Sequence, residues 1–131
     1  MTRLAAGCVI VRDNSILLLH RIDKDWWEVP GGKGEDGESL ESTAVREAKE
    51  ELSCDVLLLR KLGSTFFKAV KLDLDYTWFL AEIKNGQAPE IGIPEEYDEF
   101  SYIPINHLEK HKLSSSAQNL LIEIEKGNIV L

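Results

Sequence analysis

The sequence predicts an α/β chain in which a mixed β-sheet is held between two helices, an α/β/α sandwich. Three observations carry this. Two apolar runs separated by a short polar turn open the chain, a charged amphipathic helix interrupts the strands before its middle, and a second amphipathic helix closes it. With 131 residues the chain is read as one domain, 1–131, long enough to bury about two-thirds of its unfolded surface.

The elements follow in order. Leu4 to Arg12 and Ile16 to Arg21 read as strands joined at Asp13-Asn14-Ser15. A glycine-rich loop and a helix run from about Pro30 to Leu52. Leu40, Ala44, Val45, Ala48 and Leu52 recur at helical spacing and are expected to face the core. Asp55 to Lys61, Ser64 to Val70 and Leu74 to Ile83 read as three strands, with Asn85-Gly86 turning the chain afterwards. Glu99 to Ile103 is a short strand. Ser114 to Lys126 is a helix with a serine start, Leu120, Leu121 and Ile124 inside, and Gly127 as its stop.

The chemistry concentrates in the first helix. Glu47, Glu50 and Glu51 are related by i, i+3 and i, i+4, so their carboxylates are neighbours on one side of it. Glu51 projects between Leu40 and Ala44, where a solubilising acid has no purpose and a buried carboxylate needs a cation. A charge-rich helix is ordinarily a solvated face. The turn just upstream, Pro30 to Glu38, alters that expectation because it brings closely spaced glycines and another acid to the helix start. Three partly buried carboxylates ~6 Å apart repel by roughly 3 kcal/mol per pair at an effective dielectric of about 20. Hard divalent cations, which prefer oxygen ligands, reverse that sign.

Gly32, Glu38 and the run Arg46-Glu47-Ala48-x-Glu50-Glu51-x-Ser53-Cys54 resemble the Nudix box, G-x5-E-x7-R-E-U-x-E-E-x-G-U with U aliphatic. The box spans residues 32–54. Ser53 stands where that family has Gly and Cys54 at its last aliphatic position. The missing Gly falls at the helix exit, where Gly supplies a left-handed cap. Trp27-Glu28-Val29-Pro30-Gly31-Gly32 resembles the W-E-x-P-G-G stretch of MutT-type members, and Pro94 to Tyr102 their late acidic loop.

The resemblance implies a mixed sheet between helices and an enzyme that hydrolyses a nucleoside diphosphate linked to a group X. The expected reaction is MutT-like: a nucleoside triphosphate cut to monophosphate and pyrophosphate, with Mg²⁺ as cofactor and Mn²⁺ able to substitute. The implied metal ligands are Glu47, Glu50, Glu51, the Gly31 carbonyl and Glu96. Glu47, Glu50 or Glu96 would serve as the base, with Arg46 orienting Glu47, while Gly32 and Glu38 are structural positions of the motif. Arg21 and Lys33 would meet phosphate and Asn119 a purine edge. Alternatives are an ADP-ribose or nucleotide-sugar pyrophosphatase, or a Nudix-fold domain that senses a nucleotide without turning it over. The proline that marks ADP-ribose hydrolases and the tyrosine that marks dinucleoside polyphosphate hydrolases are absent from their expected spacing: no Pro lies between Pro30 and Pro89, and Tyr76 is the first later Tyr.

Other features narrow the field. The formal net charge of −8 argues against a nucleic-acid polymer as partner, whereas a nucleotide remains compatible with local metal ions and a few placed cations. No basic and apolar leader or membrane-length apolar run is visible, so a cytoplasmic protein, monomer or homodimer, with no membrane partner is expected. Cys8 and Cys54 lie in apolar surroundings as free thiols. His107 and His111 lack the acid spacing of a zincin helix, and the glycines lack a P-loop ending. Trp26, Trp27, Phe66, Phe67 and Tyr76 are candidate stacking surfaces, although strand aromatics are ordinarily core.

Overall fold

A computed structural model describes residues 2–69 and 71–131. Its strands are β1 (Thr2–Arg12), β2 (Ser15–Arg21), β3 (Trp26–Glu28), β4 (Gly31–Lys33), β5 (Val56–Lys68), β6 (Asp73–Ile83) and β7 (Tyr97–Pro104). The helices are α1 (Leu40–Leu52) and α2 (Ser115–Glu125), with 3-10 turns at Lys84–Gly86 and Ile105–Lys110. Asp13 and Asn14 both take positive φ (49° and 62°), the handedness that lets a two-residue turn follow the twist of β1 and β2.

The strand order is β3-β2-β1-β6-β5, with β4 beside β1 and β7 beside β2. β1 runs parallel to β6, and the remaining pairs are antiparallel, so the sheet is mixed. The period-2 alternation of β1 and β2 divides the core into two layers. Ala5, Val9, Ile16 and Leu18 pack with Ala117, Leu120 and Leu121 of α2. Ala6, Cys8, Ile10, Leu17 and Leu19 pack with Ala44, Ala48 and Leu52 of α1. Because both faces are covered, these strands read as unbroken apolar runs, and the architecture is the expected α/β/α sandwich.

Four expectations are corrected. Asp55 to Lys61 and Ser64 to Val70 form one strand, β5, rather than two; Val70 itself lies outside the described residues. The register of β5 against β6 shifts between Leu58 and Arg60 and between Lys61 and Gly63, so Gly63 marks an irregularity within a continuing ladder rather than a turn. β3 and β4, three residues each, occupy a segment read as loop. Val45 is not a core residue but 36% exposed, rotated off the apolar stripe toward Glu41 and Ser42. Ser15 belongs to β2, paired with Arg12 and Pro104.

Both cysteines are buried and free. Among the described residues no helix is long and apolar enough to cross a membrane.

Candidate active site

β4 and α1 build the site together. β4 pairs with β1 through Ala5–Lys33, Ala6–Gly32 and Gly7–Gly31, which lays its backbone against the buried side of α1. A Cβ at Gly32 would stand 2.7 Å from Glu47 Oε1, so only glycine lets the helix carboxylate approach the strand this closely. Ser39 caps α1, its Oγ accepting from the Ser42 amide at 3.0 Å.

Behind the cavity, Glu38 and Arg46 lock loop to helix. Glu38 Oε2 accepts from Arg46 Nε at 2.8 Å, and Glu38 Oε1 accepts from Arg46 Nη2 at 3.0 Å, Thr43 Oγ1 at 2.7 Å and the Glu35 amide at 3.0 Å. The Arg46 guanidinium, with the Glu35 amide and Thr43 hydroxyl, holds the Glu38 carboxyl down to about 2. Arg46 Nη2 also donates to the Lys33 carbonyl at 3.0 Å. Its Nη1 lies 3.1 Å from Glu47 Oε1 and 3.2 Å from Glu50 Oε1, so one cation orients both acids.

Glu51 is 3% exposed. Its Oε1 accepts from the Gly31 amide at 2.9 Å and its Oε2 from the Tyr97 hydroxyl at 3.2 Å. Burial, and then the nearby Glu47, push this carboxyl well above the ordinary range. Glu47 is also raised, by burial first, with Arg46 opposing and Glu50 adding to it.

One cavity of about 740 Å³ gathers most of the expected residues: Gly31, Gly32, Glu47, Glu50, Glu51 and Glu96, with Arg21 and Lys33. Glu96 arrives on an exposed loop held at both ends. The Gly92 amide donates to the Glu51 carbonyl at 3.0 Å, and the Ile22 amide donates to the Glu96 carbonyl at 2.9 Å. A Cβ on Gly92 would collide with the Glu50 carbonyl, so glycine is required where the loop crosses the end of α1. Glu95, Asp98 and Glu99 do not line the cavity, and Asp98 Oδ1 lies instead 2.7 Å from His20 Nδ1.

The structure does not bring Asn119 to this cavity. Its amide donates to Thr65 Oγ1 at 3.1 Å, and α2 reaches the cavity through Ser114, Ser115 and Ser116 at its start. Arg21 lies at the cavity but is paired with Asp23 (2.8 Å) and Glu28 (3.5 Å). Of the candidate aromatics, Trp26, Phe67 and Tyr76 line the cavity. Trp27 instead packs beside His20 and His111, and Phe66 is 57% exposed elsewhere. Gly31 is engaged through its amide.

Sequence reasoning missed Glu28, Tyr97, Lys24, Lys68 and Lys71, all of which line the cavity. Glu28 stands inside the W-E-x-P-G-G stretch, a signal that was available; nothing local marks Tyr97, whose role depends on partners 69 and 46 residues away in sequence.

The donor set suits a hard divalent cation: oxygen ligands only, two of them on carboxyls that burial makes costly to ionise without compensation. Among the described residues no three acidic, His or Cys side chains converge on a single point. Arg46 holds Glu47 and Glu50 side by side on its Nη1, while Glu51 is tied to the Gly31 amide and the Tyr97 hydroxyl.

The NUDIX domain family description matches residues 1–123. The chain belongs to the Nudix family. It is similar to the RNA pyrophosphohydrolase of Pelagibacter ubique, 31% identical over 115 residues, covering 76% of this chain and 72% of that one. It is also similar to a Bacillus subtilis protein with the provisional name 8-oxo-dGTP diphosphatase, 36% identical over 84 residues and 64% of this chain. The chain spans 55% of the length of that relative and 28% of another Bacillus subtilis Nudix hydrolase. The crystal structure of a MutT NUDIX hydrolase from Burkholderia pseudomallei superposes with a TM-score of 0.83 at 22% identity, covering 95% of this chain and 98% of that one. That likeness establishes the Nudix fold.

Proposed function

We propose that this chain is a Mg²⁺-dependent pyrophosphohydrolase that cuts a nucleoside triphosphate to the monophosphate and pyrophosphate. The observation that carries the reading is the single cavity in which Glu47, Glu50, Glu51 and Glu96 meet Arg21, Lys24 and Lys33. The name 8-oxo-dGTP diphosphatase of one relative supports a nucleoside triphosphate as the substrate, and the name RNA pyrophosphohydrolase of the other supports cleavage at a pyrophosphate bond.

Glu47, Glu50, Glu51, the Gly31 carbonyl and Glu96 would hold the cation. When bound, it offsets phosphate charge and makes water a better nucleophile. The chain's own groups do the rest. Arg21 and Lys33 bind phosphate oxygens and fix the chain of phosphates across the cavity. Trp26 and Phe67 offer apolar faces to the nucleoside. Arg46, held from behind by Glu38, keeps Glu47 and Glu50 in place. A cavity carboxylate, Glu96 or a box glutamate, takes the proton from the attacking water as its oxygen bonds to phosphorus and the bond to the leaving pyrophosphate oxygen breaks.

A Mg²⁺-supplemented screen of nucleoside triphosphates, ADP-ribose, dinucleotides and nucleotide sugars, with products identified, tests this. The expected result is monophosphate plus pyrophosphate from a triphosphate, faster at alkaline pH and abolished by chelator. Full turnover in excess chelator overturns the cation reading, and cleavage of ADP-ribose or a nucleotide sugar in preference to any triphosphate overturns the substrate class.

A further inference from the structure

Glu51 is held at each of its two oxygens by a different element: Oε1 by the Gly31 amide of β4 and Oε2 by the hydroxyl of Tyr97, which opens β7. Tyr97 is itself 2% exposed, and its hydroxyl lies 3.0 Å from Glu28 Oε2. Glu28 does not float: its Oε1 accepts from Trp26 Nε1 at 2.7 Å and faces Arg21 Nη1 at 3.5 Å. A continuous chain of contacts therefore runs from Arg21 and Trp26 at the cavity wall through Glu28 and Tyr97 to the buried carboxylate.

We propose that Tyr97 and Glu28 form a positioning pair for Glu51, the hydroxyl being clamped between the two carboxylates so that Glu51 presents its remaining lone pairs to the cavity. The inference rests on the cation reading above and assigns to it two residues that neither the box nor the comparisons name. A carboxylate that must ligate a cation gains affinity when its rotamer is set beforehand by hydrogen bonds from outside the ligand shell. Gly31 alone fixes one oxygen and leaves rotation about the carboxyl bond; the second contact, from Tyr97, removes it. The phenol carries one proton, which it shares in a three-centre contact between Glu51 Oε2 at 3.2 Å and Glu28 Oε2 at 3.0 Å, so Glu28 holds the hydroxyl in the gap from the far side. Trp26 and Arg21 in turn hold Glu28, so the clamp is anchored in the same β2–β3 segment whose Ile22 amide binds the Glu96 carbonyl. The two arms of the site, the helix acid and the loop acid, are thereby referenced to one piece of backbone.

The test reads Mn²⁺ binding to the whole chain without substrate, by the loss of the free-Mn²⁺ electron paramagnetic resonance signal, in Tyr97→Phe, Glu28→Ala and Glu28→Gln. Tyr97→Phe and Glu28→Ala are expected to weaken binding roughly 10-fold. Glu28→Gln keeps an amide oxygen for the hydroxyl and is expected to stay within about 2-fold of the parent, a rescue that mere loss of charge would not allow. Unchanged affinity in Tyr97→Phe reduces Tyr97 to a core filler and overturns the pair, as does Glu28→Gln binding as poorly as Glu28→Ala. If Tyr97→Phe does not fold, the contrast between the two Glu28 variants decides. A parent chain that binds no Mn²⁺ overturns the cation reading and this inference with it, whereas binding that no variant alters overturns the inference alone.

Discussion

Glu38 grips one edge of the Arg46 guanidinium with both its oxygens, Oε2 to Nε at 2.8 Å and Oε1 to Nη2 at 3.0 Å. Two parallel bonds fix the plane of the guanidinium, and its remaining nitrogen is thereby aimed at Glu47 and Glu50. A loop residue eight positions upstream thus sets the direction of the helix carboxylates.

The pair also sets an acid limit. Folding lowers the Glu38 carboxyl from 4.5 to about 2, chiefly through Arg46. The folded state binds the proton less readily than the unfolded one, so the contribution is complete above the unfolded value and is lost as pH falls through the folded one. Between about pH 4.5 and 2, the urea midpoint of the parent is expected to fall more steeply than that of Glu38→Gln. Parallel pH profiles across that interval would remove Arg46 as the cause.

Glu51 carries the opposite sign. Burial and Glu47 raise its carboxyl, so the folded state keeps a proton that the unfolded chain releases; stability declines as pH rises past the ordinary 4.5 and stays lowered above the raised value. In chelator at pH 8, Glu51→Gln is expected to melt at least about 3 °C above the parent, with the difference vanishing near pH 4. In activity assays with Mg²⁺, Glu51→Gln and Glu47→Gln should each lower kcat at least ~10²-fold. Glu109→Gln, which lies outside the cavity, is the control and should leave kcat unchanged. A melting temperature for Glu51→Gln equal to or below that of the parent in chelator would contradict the account of its burial. Near-normal kcat in both box variants would return Glu47 and Glu51 to a structural role.

Ser53 closes α1 in the left-handed conformation, φ 57° and ψ 28°, with its amide donating to the Lys49 carbonyl at 3.1 Å. The box glycine is therefore replaced in identity while its backbone shape is kept. A left-handed non-glycine residue costs about 1–2 kcal/mol, offset in part by the entropy that glycine adds to the unfolded chain. Ser53→Gly is expected to stabilise by about 0.5 kcal/mol, measured by urea unfolding, with kcat unchanged. Destabilisation by Ser53→Gly would mean that the serine hydroxyl does more than fill the cap.

What the sequence made legible was what is local. The apolar runs of β1 and β2, the stripe Leu40–Ala44–Ala48–Leu52, the serine start of α2 and the Asn85 and Gly127 turns each depend on a few neighbouring residues, and each is present. Glu51 stood out because an acid on an apolar stripe contradicts the pattern around it. The remainder depended on partners far along the chain. Gly63 reads as a break in β5 because a bulge and a turn use the same residue, and only pairing with β6 distinguishes them. Val45 reads as core from the sequence because the apolar stripe is wider than the packed one. The purine-reading position of Asn119 comes from the MutT-type resemblance, which does not show that β5 lies beside it and supplies Thr65 as its partner.

Glu96 gives the sharpest remaining test, since four acids lie close together and only one of them lines the cavity. Its side chain is exposed on a loop, and the loop is fixed by backbone contacts to Glu51 and Ile22 that a side-chain change leaves in place. Glu96→Gln is therefore expected to lower kcat at least ~10²-fold while changing KM little, because a group acting mainly in the transition state adds little to ground-state binding. Glu95→Gln on the loop and Glu99→Gln at the start of β7 remove the same charge nearby and should change kcat less than about 3-fold, the scale of a screened surface effect. Asp98→Asn removes the charge from the contact with His20 while keeping an acceptor oxygen, and is expected to lower stability slightly and leave activity unchanged. Equal, small losses of kcat across all four variants would mean that the loop contributes only a diffuse field and would take Glu96 out of the site. A dominant loss at Glu99 or Asp98 would instead transfer the role from the loop to the start of β7 and leave the family unchanged.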